Sequence, residues 1–292
     1  MTPLDAALPP EQQPPQGRGS YVIRLLATAE ELAPCTALQK LVWGYADLDV
    51  VPVNELVSVA KAGGIVLGAF AEPGAAQGGR PGAPGGLVGF CFGLLAREPA
   101  TGRLYHFSRM LAVHPAWRGA GLGTALKQAQ RAAALAQGLD TMRWTFDPLR
   151  ADNAAFNLAR LGAVGVAYHR DLYGAATSSP LHLAGTDRLE VRWRLDRERP
   201  ALSSPGTGRM PGGGGAGTAL WCVPVPAEVE ALAARGREAV RAERLRLRAA
   251  IEQALARGLV AVGFVRRGET GPDGQPGPAY LFGPDPFAEP VP

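Results

Sequence analysis

The stretch M-L-A-V-H-P-A-W-R-G-A-G-L-G-T-A-L-K, Met110 to Lys127, decides how this chain is read. An apolar strand pattern ends at Val113, and a short loop carries Arg118-Gly119-Ala120-Gly121-Leu122-Gly123. A helix rich in Ala, Leu, Lys and Gln follows at once, over Ala120–Gln137, with Gly138 to stop it. Glycines at a strand-to-helix turn let backbone N–H groups approach an anion with no Cβ in the way. The helix N-terminus adds partial positive charge. Such a loop suits a phosphate or diphosphate, although a plain tight turn accounts for the hexapeptide alone equally well. It is not a Walker A loop, because G-x-x-x-x-G-K-[ST] is absent, nor a Rossmann fingerprint, because the G-x-G-x-x-G spacing is missing.

Working outward, Tyr21–Leu26 reads as a first strand and Ala29–Leu48 as a helix. Ile65–Ala71 and Leu87–Leu95 are apolar runs of strand length on either side of a Gly/Ala/Pro stretch, so a hairpin with a long tip fits. Leu104–Val113 and Met142–Phe146 are strands flanking the helix, Asn153–Leu161 is a short helix stopped by Gly162, and Val164–His169 and Leu189–Leu195 are further strands. Beyond a Gly/Pro-rich tether come strand Leu220–Val225, helical sequence Pro226–Arg257 with a break at Gly236, and strands Val260–Val265 and Ala279–Phe282. The organisation is therefore an arm at 1–19, a main domain at 20–197, a linker at 198–217, a small α+β segment at 218–283 and a tail at 284–292. The fold class is α/β, with an α+β mixed sheet.

With 292 residues, 47% of them hydrophobic, the chain has material for about two domains and is not disordered throughout. Only 19% of residues are charged and the net charge is +4, which argues against a dedicated nucleic-acid binder. Residues 1–19 lack the basic-then-apolar pattern of a secretory signal, and no apolar run is long enough to span a bilayer. Three distant cysteines, Cys35, Cys91 and Cys222, form neither a disulfide framework nor a zinc site, so a reducing cytoplasm is the default. His114, His169 and His182 show no metal-ligand spacing, and no metal is expected.

The loop closely resembles the acyl-CoA-binding motif of the GNAT (Gcn5-related N-acetyltransferase) superfamily, Arg/Gln-x-x-Gly-x-Gly/Ala. Arg118, Gly121 and Gly123 fill its defining places, and Leu111-Ala112-Val113 fill the preceding strand. The likeness extends to Asn153…Leu161-Gly162, similar to the family's later N-x-x-A…L-G segment, and to the order β-α-β-β-β-α-β-α-β over residues 20–197. The run Trp144 to Leu149, followed by D-N-A-A-F-N-L-A-R-L-G-A, resembles one GNAT subgroup that also has a C-terminal extension. The resemblance implies the GNAT acyl-CoA N-acyltransferase fold with a smaller C-terminal α+β segment, partly GNAT-like. It implies acetyl-CoA or another acyl-CoA as co-substrate, with pantetheine between the splayed strands Leu104–Val113 and Met142–Phe146. Backbone groups of Leu111 and Val113 would pair with pantetheine amides, and Ala112 between them counts with the cofactor residues. Amides of Gly119, Ala120, Gly121, Leu122, Gly123 and Thr124 would hold the diphosphate, and Arg118, Asn153 and Asn157 join the cofactor residues by the same likeness. A deprotonated amine, on an amino acid or other small molecule, would attack the thioester directly.

The general acid and base are less legible. Many GNAT enzymes carry a proton-donating Tyr where this chain has Leu158. Tyr168 and Tyr173 are substitutes, each also explicable by strand packing or a turn. Asp147, at the carboxyl end of its strand, is a candidate base, or else a turn or cap before Pro148. Glu55 is a second carboxylate candidate, which a solvated helix face explains equally. Strand alternation puts Phe107 and Arg109 on one face and His106 on the other, unless a bulge shifts the phase. Arg109 cannot act as a base, but it could bind an acidic acyl group such as succinyl or a substrate carboxylate. The interleaved Arg235, Arg237, Arg241, Arg244, Arg246 and Arg248 beside Glu228, Glu230, Glu238 and Glu243 read as a solvated amphipathic face rather than a nucleic-acid contact. The missing Tyr keeps open a second function class, a catalytically inactive CoA-binding sensor. The C-terminal segment should lack a CoA site of its own and pack on the first domain or on a second subunit, so a homodimer fits as well.

Overall fold

The computed structural model describes residues 20–72, 86–174, 184–200 and 220–288. The arm at 1–19, the tip at 73–85, His182 and most of the tether lie outside the described residues. Two compact units divide at Arg143 and Trp144. The division expected at the 198–217 linker is therefore not where the contacts separate.

The first unit is a sheet with helices on both faces. β1 (Tyr21–Leu25) leads to α1 (Ala29–Trp43) and α2 (Val53–Lys61). Next come β2 (Ile65–Ala71), β3 (Leu87–Arg97), β4 (Leu104–Val113), α3 (Leu122–Ala136) and β5, which starts at Thr141 and ends at Phe146 in the second unit. Strands β1 to β4 pair antiparallel in sequence order. β4 then runs parallel to β5 through His106↔Met142 and Phe107↔Arg143. The long connection that a parallel pair needs is α3.

α1 begins where Thr28 accepts from the Glu31 N–H at 3.3 Å while the Glu31 carboxylate accepts from the Thr28 N–H at 3.2 Å, a reciprocal capping box. The helix expected to reach Leu48 stops at Trp43 because Gly44 turns left-handed, with φ 63°. Gln39 then holds the following loop, accepting from the Val51 N–H at 2.8 Å and donating to its carbonyl at 3.1 Å.

The register of β3 on β4 slips between Phe92↔Met110 and Gly93↔Ser108, so Arg109 is the extra residue of a bulge. The simple alternation expected for this strand is thus broken at Arg109. Phe107, Met110 and Ala112 share one face with Phe90 and Phe92, and that face packs under α1 and α2 with Leu32, Leu38 and Leu56. His106, Ser108 and Leu111 share the other face with Cys91, under α3.

The second unit takes the end of β5, then α4 (Ala151–Ala154) continuing as a wider helical turn over Ala155–Arg160, β6 (Val164–His169) and β7 (Arg188–Arg194). After the tether come β8 (Trp221–Pro224), α5 (Val229–Ala233), α6 (Arg237–Ala256), β9 (Val260–Val265) and β10 (Ala279–Gly283). β6 pairs antiparallel with both β7 and β9, and β10 lies between β9 and β8. The close approach of β9 needs Gly165, where a Cβ would stand 2.9 Å from that of Ala261. Residues 220–288 and the strands following Trp144 thus build one sheet, sealed by Trp144 edge-on to Trp193 and Phe264 edge-on to Tyr280. Apolar positions Val229, Val240 and Ile251 are buried in this unit, while Leu232 and Leu255 are half-buried. No helix among the described residues is long and apolar enough to cross a membrane.

Candidate functional site

In the first unit the Arg118–Thr124 segment alternates buried anchors with exposed residues. Trp117, Ala120 and Leu122 are buried, and Trp117 packs edge-on to Tyr21 at 6.5 Å. Between these anchors Arg118, Gly119 and Gly121 face solvent. The entry is held by His114, whose Nδ1 accepts from the Ala116 N–H at 3.2 Å across the Pro115–Trp117 turn. Gly119 and Gly121 have φ of 72° and 86°, and no atom lies within 4 Å of where a Cβ would stand at either. Gly121 is the N-cap of α3 and has no side chain to satisfy the first helical N–H groups. The loop thus presents an uncapped helix N-terminus with open space in front of it, as anion binding requires. β4 feeds it, and one edge of Leu111, Ala112 and Val113 is taken by β3 through Cys91, Phe90 and Gly89.

Glu55 lies in this unit on the first turn of α2 with its side chain in solvent, so the structure gives it the solvated-face arrangement. Arg109 is exposed at the bulge. His106 is fully buried, and burial together with the charge of Lys127 pushes its pKa down to about 3.

A second group of charged residues stands in the second unit. Asp147, 8% exposed, accepts from Arg244 Nη1 and Nη2 at 3.0 Å each, and its Oδ1 also takes the Leu149 N–H at 3.0 Å. Arg188 lies 3.9 Å away. This is the turn-and-cap role plus a buried ion pair. The expectation of a free base at Asp147 meets a carboxylate whose two oxygens are already bound.

Tyr168 donates to Asp187 at 2.6 Å, and Asp187 also receives Arg248 at 2.7 and 2.9 Å and the Asp171 N–H at 3.0 Å. Burial raises the Tyr168 hydroxyl pKa, and the neighbouring Asp187 raises it further. Burial also pushes Asp187 upward, but its donors outweigh that and hold the carboxyl below the usual range. Tyr173 is exposed, with the Arg188 guanidinium 5.2 Å from its ring centre. Leu158 is buried in the core of this unit. Asn153 is exposed, whereas Asn157 is buried and its side-chain carbonyl accepts from Trp144 Nε1 at 3.1 Å.

Arg244 and Arg248 do not lie on the solvated face that the interleaved charges suggest. Arg244 is 2% exposed, because it shares the buried stripe Val240, Arg244, Leu247, Ile251 of α6. That i, i+4, i+7, i+11 spacing was the signal in the sequence that could have found it.

No cysteine is poised as a nucleophile among the described residues. Cys35 and Cys91 are buried with thiols pushed up to about 12, and Cys222 is pushed up to about 11, in each case first by burial. Iodoacetamide at pH 8 should therefore leave Cys35 and Cys91 of the native chain unmodified, as peptide mass mapping would read out. Rapid alkylation of either would contradict this burial. Among the described residues no group of three metal-ligating side chains comes together.

Residues 68–163 match the Acetyltransferase (GNAT) family model. None of the curated protein sequences compared matches the chain. Solved structures similar to it include a GNAT-family acetyltransferase from Desulfovibrio desulfuricans, 15% identical, covering 60% of this chain and 99% of that one with a TM-score of 0.45. The Escherichia coli ribosomal-protein-S18-alanine N-acetyltransferase is 14% identical over 63% of this chain and 99% of its own, with a TM-score of 0.44. The yncA protein of Salmonella typhimurium, solved with acetyl-CoA, is 18% identical over 61% and 96%, also with a TM-score of 0.44.

Proposed function

We propose that this chain, which belongs to the GNAT acetyltransferase family through its residues 68–163, is an acyl-CoA-dependent N-acyltransferase acting on a primary amine of a small molecule. The observation that carries the proposal is the loop at the N-terminus of α3, uncapped, with open space before Gly119 and Gly121. In this reading the amides of Gly119 to Thr124 hold the CoA diphosphate. The edge of Leu111–Val113 not taken by β3 pairs with pantetheine amides as an added strand would. One backbone N–H of that strand polarises the thioester carbonyl and stabilises the tetrahedral oxyanion, a contact typically worth about 2.7–4 kcal/mol of barrier. The amine attacks directly, the C–S bond breaks, and the departing thiolate takes a proton.

Tyr168, in the second unit, is retained as the candidate general acid. Its hydroxyl donates to Asp187 at 2.6 Å, and burial and that carboxylate raise its pKa, so acting as the acid requires the proton to leave Asp187. A general acid typically contributes about 10²–10⁴-fold. Tyr168→Phe should lower kcat at least tenfold and leave the Kd for acetyl-CoA within twofold, whereas Glu55→Gln should leave both unchanged. Unchanged kcat in folded Tyr168→Phe would remove Tyr168 from the chemistry.

The inactive-sensor reading is favoured by one observation, the buried Leu158 where many relatives place a tyrosine. It predicts acyl-CoA binding without release of thiol to any amine.

A further inference from the structure

α3 carries two charged residues, Lys127 and Arg131, and Lys127 points into the sheet, 2% exposed. Its Nζ donates to Ser108 Oγ at 2.7 Å and to Gln130 Oε1 at 3.3 Å, and lies 3.7 Å from Met142 Sδ. β2 brings no titratable side chain to this seam. β3 brings Cys91, buried, and Arg97 at its far end. β4 brings His106, buried with neither ring nitrogen hydrogen-bonded, while its Arg109 is exposed and its Tyr105 lies under the Arg143 guanidinium. In β5, Arg143 is engaged by Glu98 at 2.9 Å.

We propose that anion binding at the Gly119–Gly123 loop and proton binding at Lys127 are linked, so that a diphosphate seated on the N-terminus of α3 draws a proton onto the buried amine. The inference rests on the diphosphate reading of that loop. Lys127 follows the Gly121 N-cap by six residues, about 9 Å along the axis, and its side chain leaves the helix tilted toward that same end. The path runs through helix and apolar core, where charges are screened far less than in water. Burial pushes the amine's pKa down to about 7, with Cys91 acting weakly the other way. An amine poised near neutrality responds most to a nearby anion. Linkage is reciprocal: binding raises the proton affinity of Lys127, and protonation of Lys127 tightens binding.

The test is calorimetric titration of the full chain with 3′-dephospho-CoA at pH 8, in buffers of different ionisation enthalpy. This ligand keeps the diphosphate but lacks the 3′-phosphate, whose own titration would obscure the result. If binding raises the Lys127 midpoint by one unit, about 0.4 proton is taken up per site at pH 8, falling to almost none at pH 5.5. Lys127→Met should bind without uptake. Should that variant not fold, the ¹³Cε resonance of Lys127 in the wild-type chain supplies the second readout, its midpoint rising at saturating ligand. Binding with no uptake at pH 8 and an unmoved Lys127 midpoint overturns the linkage. Absence of binding overturns the loop reading, and the linkage with it.

Discussion

Gly123→Val should leave the chain folded and weaken acetyl-CoA binding at least a hundredfold, with Gly121→Val weaker still. Gly123 lies in the first turn of α3, where valine is no worse than glycine in helix propensity. Under the proposed diphosphate site, the two added methyl groups would displace a phosphate from the amides at the helix N-terminus. A hundredfold loss corresponds to about 2.8 kcal/mol, the scale of a few charge-assisted hydrogen bonds. At Gly121 the φ of 86° adds backbone strain to the same obstruction. Circular dichroism checks the fold and titration calorimetry the affinity. A folded Gly123→Val chain with wild-type affinity would mean that the diphosphate sits elsewhere.

The second large effect concerns stability. Asp147→Ala removes a bidentate partner of Arg244, a guanidinium 2% exposed and held at 3.0 Å through both Nη1 and Nη2. Breaking a buried pair on one side leaves an uncompensated charge and typically costs about 3–5 kcal/mol. Replacing both partners with apolar groups avoids that penalty, so Asp147→Ala with Arg244→Met should recover most of the loss. Denaturant unfolding of the two single variants and the double variant measures this directly. A double variant as unstable as the sum of the singles would contradict the buried-pair account and return Asp147 to consideration as a reacting group.

The loop was legible because its information is local. Glycine spacing, the strand before it and the helix after it all lie within eighteen residues, Met110 to Lys127. The break at Gly236 between α5 and α6 was legible for the same reason. Three features were not. A single inserted residue at Arg109 reverses the alternation of β4, and period-2 reading carries no sign of a bulge. The 97-residue separation of Asp147 and Arg244 hides their pairing, so Asp147 resembles a free carboxylate and Arg244 one more charge on a solvated helix. The tether at 198–217 looks like a domain boundary by composition, yet strands on either side of it share the second unit. Composition reports which residues cannot pack, and not which distant strands pair across them.

The claim that the chain is an N-acyltransferase is tested most directly by thiol release. The full chain is mixed with acetyl-CoA and a panel of primary amines, and free CoA is measured together with the mass of each amine. The account predicts amine-dependent release of one thiol per acyl group transferred, a product heavier by the acyl group, and loss of both signals in Gly123→Val. Stoichiometric binding of acetyl-CoA with no thiol released by any amine would contradict it and leave a sensor of acyl-CoA in its place.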